Sequence, residues 1–453
     1  MKLFLITLLI LVAACASQPD KPPIDNTPVC TYDEYYFLRP DVFKAGIDAY
    51  AHYKSHGKHE NMCQPVLSIC SYEDYYRLRP DVKKAGIDAL DHYRSSGRTE
   101  GMCYPEKNLQ PSDCNQEEDL SINDTRGKYT RGYPYPMSDK IIDIKWNWHT
   151  HTQAAKGADN WPITWADDDN QYVSYGDGNG FGGSRVSLGF AKISGSGFDN
   201  FQGQNLWSSN GKTYGIVSID GNLYMTYGPG SGTNSYDWTK VGQSKDHGKN
   251  WTISDWSFPK SSKLIMPTIL NYEKDYKCAR DNYMYVYFIR LASNSKLLTV
   301  HKPGRIDLAR VNKKNVMHRQ VYEFFTGLDK NGNPTWSKDY NHRKEVFADD
   351  NGVGWNLSVS YNQATRRYIL MTEHKESFKA HLGVFESKRP WGPWKTVKYY
   401  NHWGAGTGIH DITQSFFWNI SNKWTNGHDF TLVFTGIAGM DAFNLLTGKF
   451  ITK

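Results

Sequence analysis

The spacing of apolar and polar positions changes three times along the chain. Residues 3–14 form an apolar run, interrupted by Thr7 alone, behind Met1-Lys2. One positive charge and about a dozen apolar residues make a secretory signal, too short to cross a bilayer as a helix. Between residues 30 and 105 the apolar positions recur at helical spacing, in two stretches, 30–65 and 70–105. These are offset by 40 residues and identical at 23 of 36 aligned positions, a true internal duplication. In each copy the pattern predicts a short helix with Thr31 or Ser71 as N-cap, a turn at Arg-Pro-Asp, and a second helix ending at Gly57 or Gly97. Residues 106–139 carry no period and read as a linker. From residue 140 to 453 the period becomes two. Short strands are expected at 171–175, 222–227, 283–287, 367–371 and 431–434, each bounded by Gly, Asp or Asn. The one helix expected there is short, near residues 315–325. So many short strands in one stretch point to a propeller or a large sandwich.

The apolar run ends Leu11-Val12-Ala13-Ala14-Cys15. That string resembles the lipobox of bacterial lipoproteins, which implies cleavage after residue 14 and acylation of Cys15. Ala16, rather than Asp, after the cysteine implies the outer membrane within that class. The chain is then held at the membrane through its lipid alone, facing the periplasm or the cell surface. Residues 15–29 are polar and Pro-rich, a flexible tether. With Cys15 set aside, six cysteines remain, an even number in an exported chain, which implies disulfides. A helix pair of about 36 residues buries too little surface to be safely stable alone. Staples Cys30–Cys63 and Cys70–Cys103 across the copies would supply the difference and leave Cys114 for Cys278. A metal site with nearby His or Asp is the alternative for Cys278. The tyrosines of the copies (Tyr35, Tyr36, Tyr53 and Tyr75, Tyr76, Tyr93) suit core packing first and a glycan-binding face second.

Residues 244–251, Ser-Lys-Asp-His-Gly-Lys-Asn-Trp, fit the pattern Ser-x-Asp-x-Gly-x-x-Trp. This resembles the Asp-box that marks blade turns in sialidase-like propellers, so the resemblance implies an all-β propeller of five to seven blades behind the two helical repeats. The strings Asp159-Asn160-Trp161-Pro162 with Thr164-Trp165-Ala166-Asp167-Asp168-Asp169, Ala279-Arg280-Asp281-Asn282-Tyr283 and Pro390-Trp391-Gly392-Pro393-Trp394 are similar to a bacterial propeller group known as a domain of unknown function. That similarity spans roughly residues 146–440. Propellers of this general architecture include ulvan lyases and arabinan hydrolases, so the resemblance implies carbohydrate without choosing the reaction. Composition agrees: 15 Trp, 30 Tyr and 39 Gly suit tight turns and sugar-stacking surfaces. A formal charge of +6 favours polyanions only weakly, and the scattered basic residues carry no nucleic-acid motif.

A lyase acting on a uronate polymer needs a carboxylate neutraliser, a base for the C5 proton and an acid for the departing oxygen. Resemblance to ulvan lyases implies a histidine with Tyr and Arg. The assignment on this chain is His149 as base or carboxylate partner, Tyr214 as acid, and Arg280 with Asn170 as neutralisers. Trp165, Tyr276 and His410 would complete the substrate surface. Where the lyases carry a second histidine, this chain has Asn170. The first alternative is a hydrolase, which needs two carboxylates across the glycosidic bond; Asp168 and Asp177 are the candidates. The second is a lipoprotein that binds glycans without cutting them. No cofactor is required by any of these reactions, although a structural Ca²⁺ or Zn²⁺ is compatible with the acidic run at 167–169. The expected partner is an anionic polysaccharide, ulvan-like, met by a monomer.

Overall fold

The computed structural model describes residues 29–106 with short interruptions and residues 132–453 apart from 230–236 and 294–295. Cys15, the tether up to residue 28, most of the 106–139 segment with Cys114, and the side chains of Cys70 and Cys103 lie outside the described residues.

The N-terminal region is built as two like copies. In the first, a short parallel strand pair, Val29–Thr31 with Gln64–Val66, brings the two ends together. The Cys30–Cys63 disulfide lies beside it, Cα–Cα 5.7 Å. Thr31 and Ser71 each end a strand, and Ser71 is followed directly by helical Tyr72, while residues 32–34 lie outside the described residues. The later helices, Ala49–His52 and Ala89–His92, are capped by Asp48 and Asp88, whose carboxylates accept from Ala51 N–H, and from Leu90 and Asp91 N–H. The turns foreseen at Arg-Pro-Asp differ too, because Pro80 opens a helix, Pro80–Lys84, where its missing N–H is harmless. Tyr35 is fully buried and hydrogen-bonded to His52, 2.9 Å, and its hydroxyl lies where a Cβ on Gly57 would sit. Tyr53, Tyr75 and Tyr93 are buried as well, so these four are core, while Tyr76 is half-buried and Tyr36 lies outside the described residues.

Residues 141–452 form five antiparallel sheets arranged as propeller blades. The innermost strands are Ile163–Trp165, Ile216–Ile219, Leu264–Ile269, Leu357–Asn362 and Ser415–Asn426, one per blade. Each touches the next, and the fifth returns to the first, closing the ring. Blade 5 is assembled from both ends of the segment. Its outermost strand, Ile141–Ala154, pairs with Phe443–Thr452 near the C-terminus. The segment foreseen as a helix near 315–325 is instead two single 3₁₀ turns, Lys313–Asn315 and Arg319–Val321, followed by the strand Glu323–Leu328.

The turn at 244–251 shows why its residues are needed. Ser244 Oγ accepts from Gly248 N–H, and Asp246 accepts from Asn250 N–H and the Ser244 hydroxyl. The Asn250 side-chain amide, which donates to Asp246 at 2.7 Å, together with these bonds holds the Asp246 carboxyl down at about 2. Trp251 then packs edge-on against Phe190 of blade 1, ring centroids 4.8 Å apart. Gly248 has φ +83 and lies so close to Phe190 that a Cβ would approach it to 2.2 Å. The turn thus staples blades 1 and 2.

The ring axis is nearly solid. Ile163, Ile216, Ile269, Val359 and Ile420 point inward around a cavity of about 10 Å³. That volume holds roughly one water, so a sugar can engage only at one of the two mouths. The upper mouth is the end where the innermost strands begin; the lower mouth is where they end.

Candidate functional site

Two carboxyl groups stand out at the upper mouth. Asp159 lies four residues before the innermost strand of blade 1. Its backbone is tied in both directions to Gly176 on the neighbouring strand, 3.0 and 2.7 Å. Gly176 has no side chain because the space is taken: a Cβ there would lie 2.6 Å from Asp159 Oδ1 and 3.1 Å from Lys212 Nζ. Lys212, leading into blade 2, pairs with Asp177 at 2.6 Å. Burial pushes the Asp159 carboxyl up to about 7; Asp177 and Asp441 push the same way, and Lys212 and Arg185 oppose them.

Glu373 ends the second strand of blade 4 and is completely buried. Oε1 accepts from Phe378 N–H, 2.7 Å, while Oε2 has no hydrogen-bond partner among the described residues. Burial pushes this carboxyl up to about 8. Gly354 passes over it, donating its N–H to the Glu373 carbonyl at 2.9 Å. A Cβ at Gly354 would strike Glu373 Cβ at 2.7 Å.

From Asp159 an amide chain runs across to blade 4. Asn160 Nδ2 donates to Asp159 Oδ1, 3.0 Å, and Asn356 Nδ2 donates to Asn160 Oδ1, 2.9 Å. Blades 1 and 4 are not neighbours in the ring, so this bond crosses the mouth and floors it. Asn356 Oδ1 is buried without a partner among the described residues, as is Trp355 Nε1. Each of these atoms can still accept or donate one hydrogen bond. Trp355 meets Tyr214 edge-on, centroids 5.8 Å apart, giving the mouth an aromatic wall.

The residues foreseen for a lyase are not brought together. His149 is exposed on the outermost strand of blade 5. Tyr214 is buried at the upper mouth. Arg280 belongs to the connection at the lower mouth, where it donates to the Tyr361 hydroxyl, 2.6 Å, and lies over the Tyr361 ring. Strand direction is the reason: Tyr214 precedes an innermost strand and Arg280 follows one. No single ligand of sugar size reaches all three.

The acidic hydrolase pair fails for the same reason. Asp168 sits in the lower turn before the strand Gln171–Gly178, and Asp177 near its upper end. Seven or more extended residues place them roughly 20 Å or more apart. Asp168 is already engaged by Asn170 and by the Tyr172 hydroxyl, 2.8 and 2.7 Å. Asn170 is therefore a turn former. Trp165 donates its indole N–H to Asp169, 3.0 Å, with Lys274 above its ring. Tyr276 is buried against Tyr272, its hydroxyl donating to the Tyr283 carbonyl. His410 is 92 % exposed and pairs with Asp411 at 2.6 Å, in the upper Gly-rich loop. Cys278 is disulfide-bonded, which removes its metal alternative.

Among the described residues, Asp167, Asp168 and His247 bring one ligand atom each within 4.8 Å of one another. His247 is hydrogen-bonded to Asp167, 2.8 Å, so the group satisfies itself at the surface.

Asp159 and Glu373 were legible only in part. Asp159 stands in a quoted motif, yet the motif spoke for fold. Glu373 closes Arg367–Glu373, where Tyr368–Met371 is an unbroken apolar run; a carboxylate ending such a strand is the signal that was available.

A family described as a domain of unknown function, DUF4185, matches residues 213–408. No curated protein matches the chain significantly. Solved structures similar to it include a GH43_1 enzyme from Xanthomonas citri (10 % identity, 67 % of this chain and 93 % of that one, TM-score 0.40). The catalytic domain of a GH62 α-L-arabinofuranosidase from Coprinopsis cinerea is similar at 9 % identity, 71 % and 98 % coverage and TM-score 0.41. A glycosyl hydrolase from Bacteroides ovatus shares 12 % identity over 69 % of this chain and 92 % of that one, TM-score 0.40.

Proposed function

We propose that the protein hydrolyses a glycosidic bond at the upper mouth, with Glu373 as general acid and Asp159 as general base. The supporting observation is the pair of carboxyls held above their ordinary range on blades 1 and 4, the two blades that the Asn160–Asn356 bond joins across the mouth. A carboxyl at about 8 keeps its proton at neutral pH and can give it to the leaving glycosidic oxygen. One near 7, with Lys212 beside it, is ionised in a large share of molecules and can take a proton from the attacking water. The C–O bond breaks as the water oxygen joins the anomeric carbon, so both protons are accounted for. Orphaned Asn356 Oδ1 would accept a sugar hydroxyl, and Trp355 Nε1 would donate to one. The lipid anchor at Cys15 remains part of this proposal and would hold the enzyme where polymers arrive.

The test is a panel of plant and algal polysaccharides, scored in parallel for reducing ends and for absorbance near 235 nm. Hydrolysis raises the first alone. A rise at 235 nm would mean β-elimination and would remove the proposal.

A further inference from the structure

Charge is unevenly divided around the upper mouth. On the blade 1 side stand three carboxyls, Asp159, Asp177 and Asp441, with Lys212 and Arg185 facing them. On the blade 4 side lysines lead. Lys375 stands two residues past Glu373, in the segment whose Phe378 N–H donates to Glu373 Oε1, 2.7 Å. The Lys375 N–H donates to the Asn351 carbonyl, 3.0 Å, and its ammonium donates to Asn401 Oδ1. Lys302 lies alongside, for a Cβ on Gly352, next to Asn351, would come within 3.0 Å of its Cγ. Lys379 is exposed on the same segment as Lys375, and its carbonyl meets His402 Nδ1 at 3.3 Å.

Among the described residues none of these three lysines is in an ion pair. Elsewhere the lysines near a mouth are spent: Lys212 on Asp177, and Lys274 and Lys423 on Asp169. The acids that could answer the blade 4 lysines are mostly engaged. Asp350 pairs with Arg305, 3.0 Å. Asp349 is buried and accepts from the Tyr399 hydroxyl and from Asn351 N–H, both at 2.8 Å. Exposed Glu376 is left to oppose them. The His381 imidazole feels the balance. Burial and then the His402 ring hold it below its ordinary value, Lys375 and Lys302 add to this, and Glu376 opposes. A surface lined by one sign of charge gathers counter-ions from solution. An ammonium has three donors, so Lys375 keeps two beyond the one given to Asn401.

We propose that Lys302 and Lys375 form an anion subsite beside Glu373, so that the sugar on the leaving-group side of the scissile bond carries a carboxylate or a sulfate ester. The side it occupies rests on Glu373 being the proton donor of the proposed hydrolysis; the charge it selects does not. An exposed ammonium meeting an anionic ring substituent makes a charge-assisted hydrogen bond that salt weakens.

Biolayer interferometry with the full chain tests this without turnover, in the Asp159→Asn background so that bound polymer is not cut. The immobilised probes are a polyuronate, a sulfated galactan, a neutral arabinan and a neutral xylan. At least one anionic polymer should bind more tightly than both neutral ones, and more weakly as NaCl rises from about 50 to 300 mM. Lys302→Gln with Lys375→Gln should weaken that binding about fivefold or more. Lys302→Gln alone, at an exposed position that folding does not need, should give a smaller loss in the same direction. Lys314→Gln, exposed at the lower end of blade 3, should leave affinity unchanged. Which anionic probe binds identifies the group as carboxylate or sulfate. Neutral polymers bound as tightly as the anionic ones, no anionic polymer bound, or a loss in Lys314→Gln equal to that of the double variant would each overturn the proposal. Anionic binding lost in the lysine variants, from a parent that releases no reducing ends, would instead remove the hydrolase reading and leave the subsite standing.

Discussion

At the lower mouth, three consecutive aspartates spend their charge on neighbours. Asp169 faces Lys274, Lys423 and the Trp165 indole. Asp168 faces Asn170 and Tyr172, and Asp167 faces His247. Hydrogen bonds and lysines outweigh burial there and hold Asp168 and Asp169 below the ordinary carboxylate range. At the upper mouth the balance is reversed. Burial dominates, and Asp159 and Glu373 rise. The carboxyls at one end are spent on ion pairs and turns; those at the other are raised by burial, as at binding and catalytic sites.

The largest effect expected from this contrast is on turnover. Asp159→Asn or Glu373→Gln should lower reducing-end release by roughly 10²–10⁴-fold, the usual contribution of positioned proton transfer. Asp168→Asn should leave the rate within about twofold.

A second effect concerns stability against pH. Glu373 titrates near 4.5 unfolded and about 8 folded, so the folded state holds an extra proton between those values. Stability from this group is present below 4.5 and is lost as pH rises toward 8. In urea titrations Glu373→Gln, which keeps the acceptor for Phe378, should gain on the parent as pH rises, by on the order of 4 kcal/mol at pH 8. His374 pulls the other way below 6.5, but equally in both proteins. A constant difference across pH would mean Glu373 is not held protonated.

Smaller again is the cross-ring amide bond. Asn356→Ala should destabilise by about 1–3 kcal/mol, since it strands Asn160 Oδ1 in a buried place. Smallest is Asp169→Asn, at most about 1 kcal/mol by the same denaturation assay, because its ion pairs are solvent-screened.

Strand positions, the all-β class, the Cys30–Cys63 staple and the duplicated module were legible because each rests on local spacing. The chemistry was not. Asp168 and Asp177 are nine residues apart and look like partners, but a strand carries them to opposite mouths. Asp159 and Glu373 are 214 positions apart in the sequence. They are linked only after ring closure sets Asn160 across from Asn356, and that closure depends on the pairing of residues 141–154 with 443–452. The lyase residues failed likewise: type was right for the reaction, and direction along the innermost strands was wrong.

The most direct measurement compares initial rates of reducing-end release by the parent, Asp159→Asn and Asp168→Asn on one cleaved polysaccharide, each variant first shown to be folded. If the upper mouth is the working end, Asp159→Asn loses at least a hundredfold and Asp168→Asn keeps its rate. If Asp168→Asn is the inactive one and Asp159→Asn turns over normally, the chemistry lies at the lower mouth and the assignment is wrong.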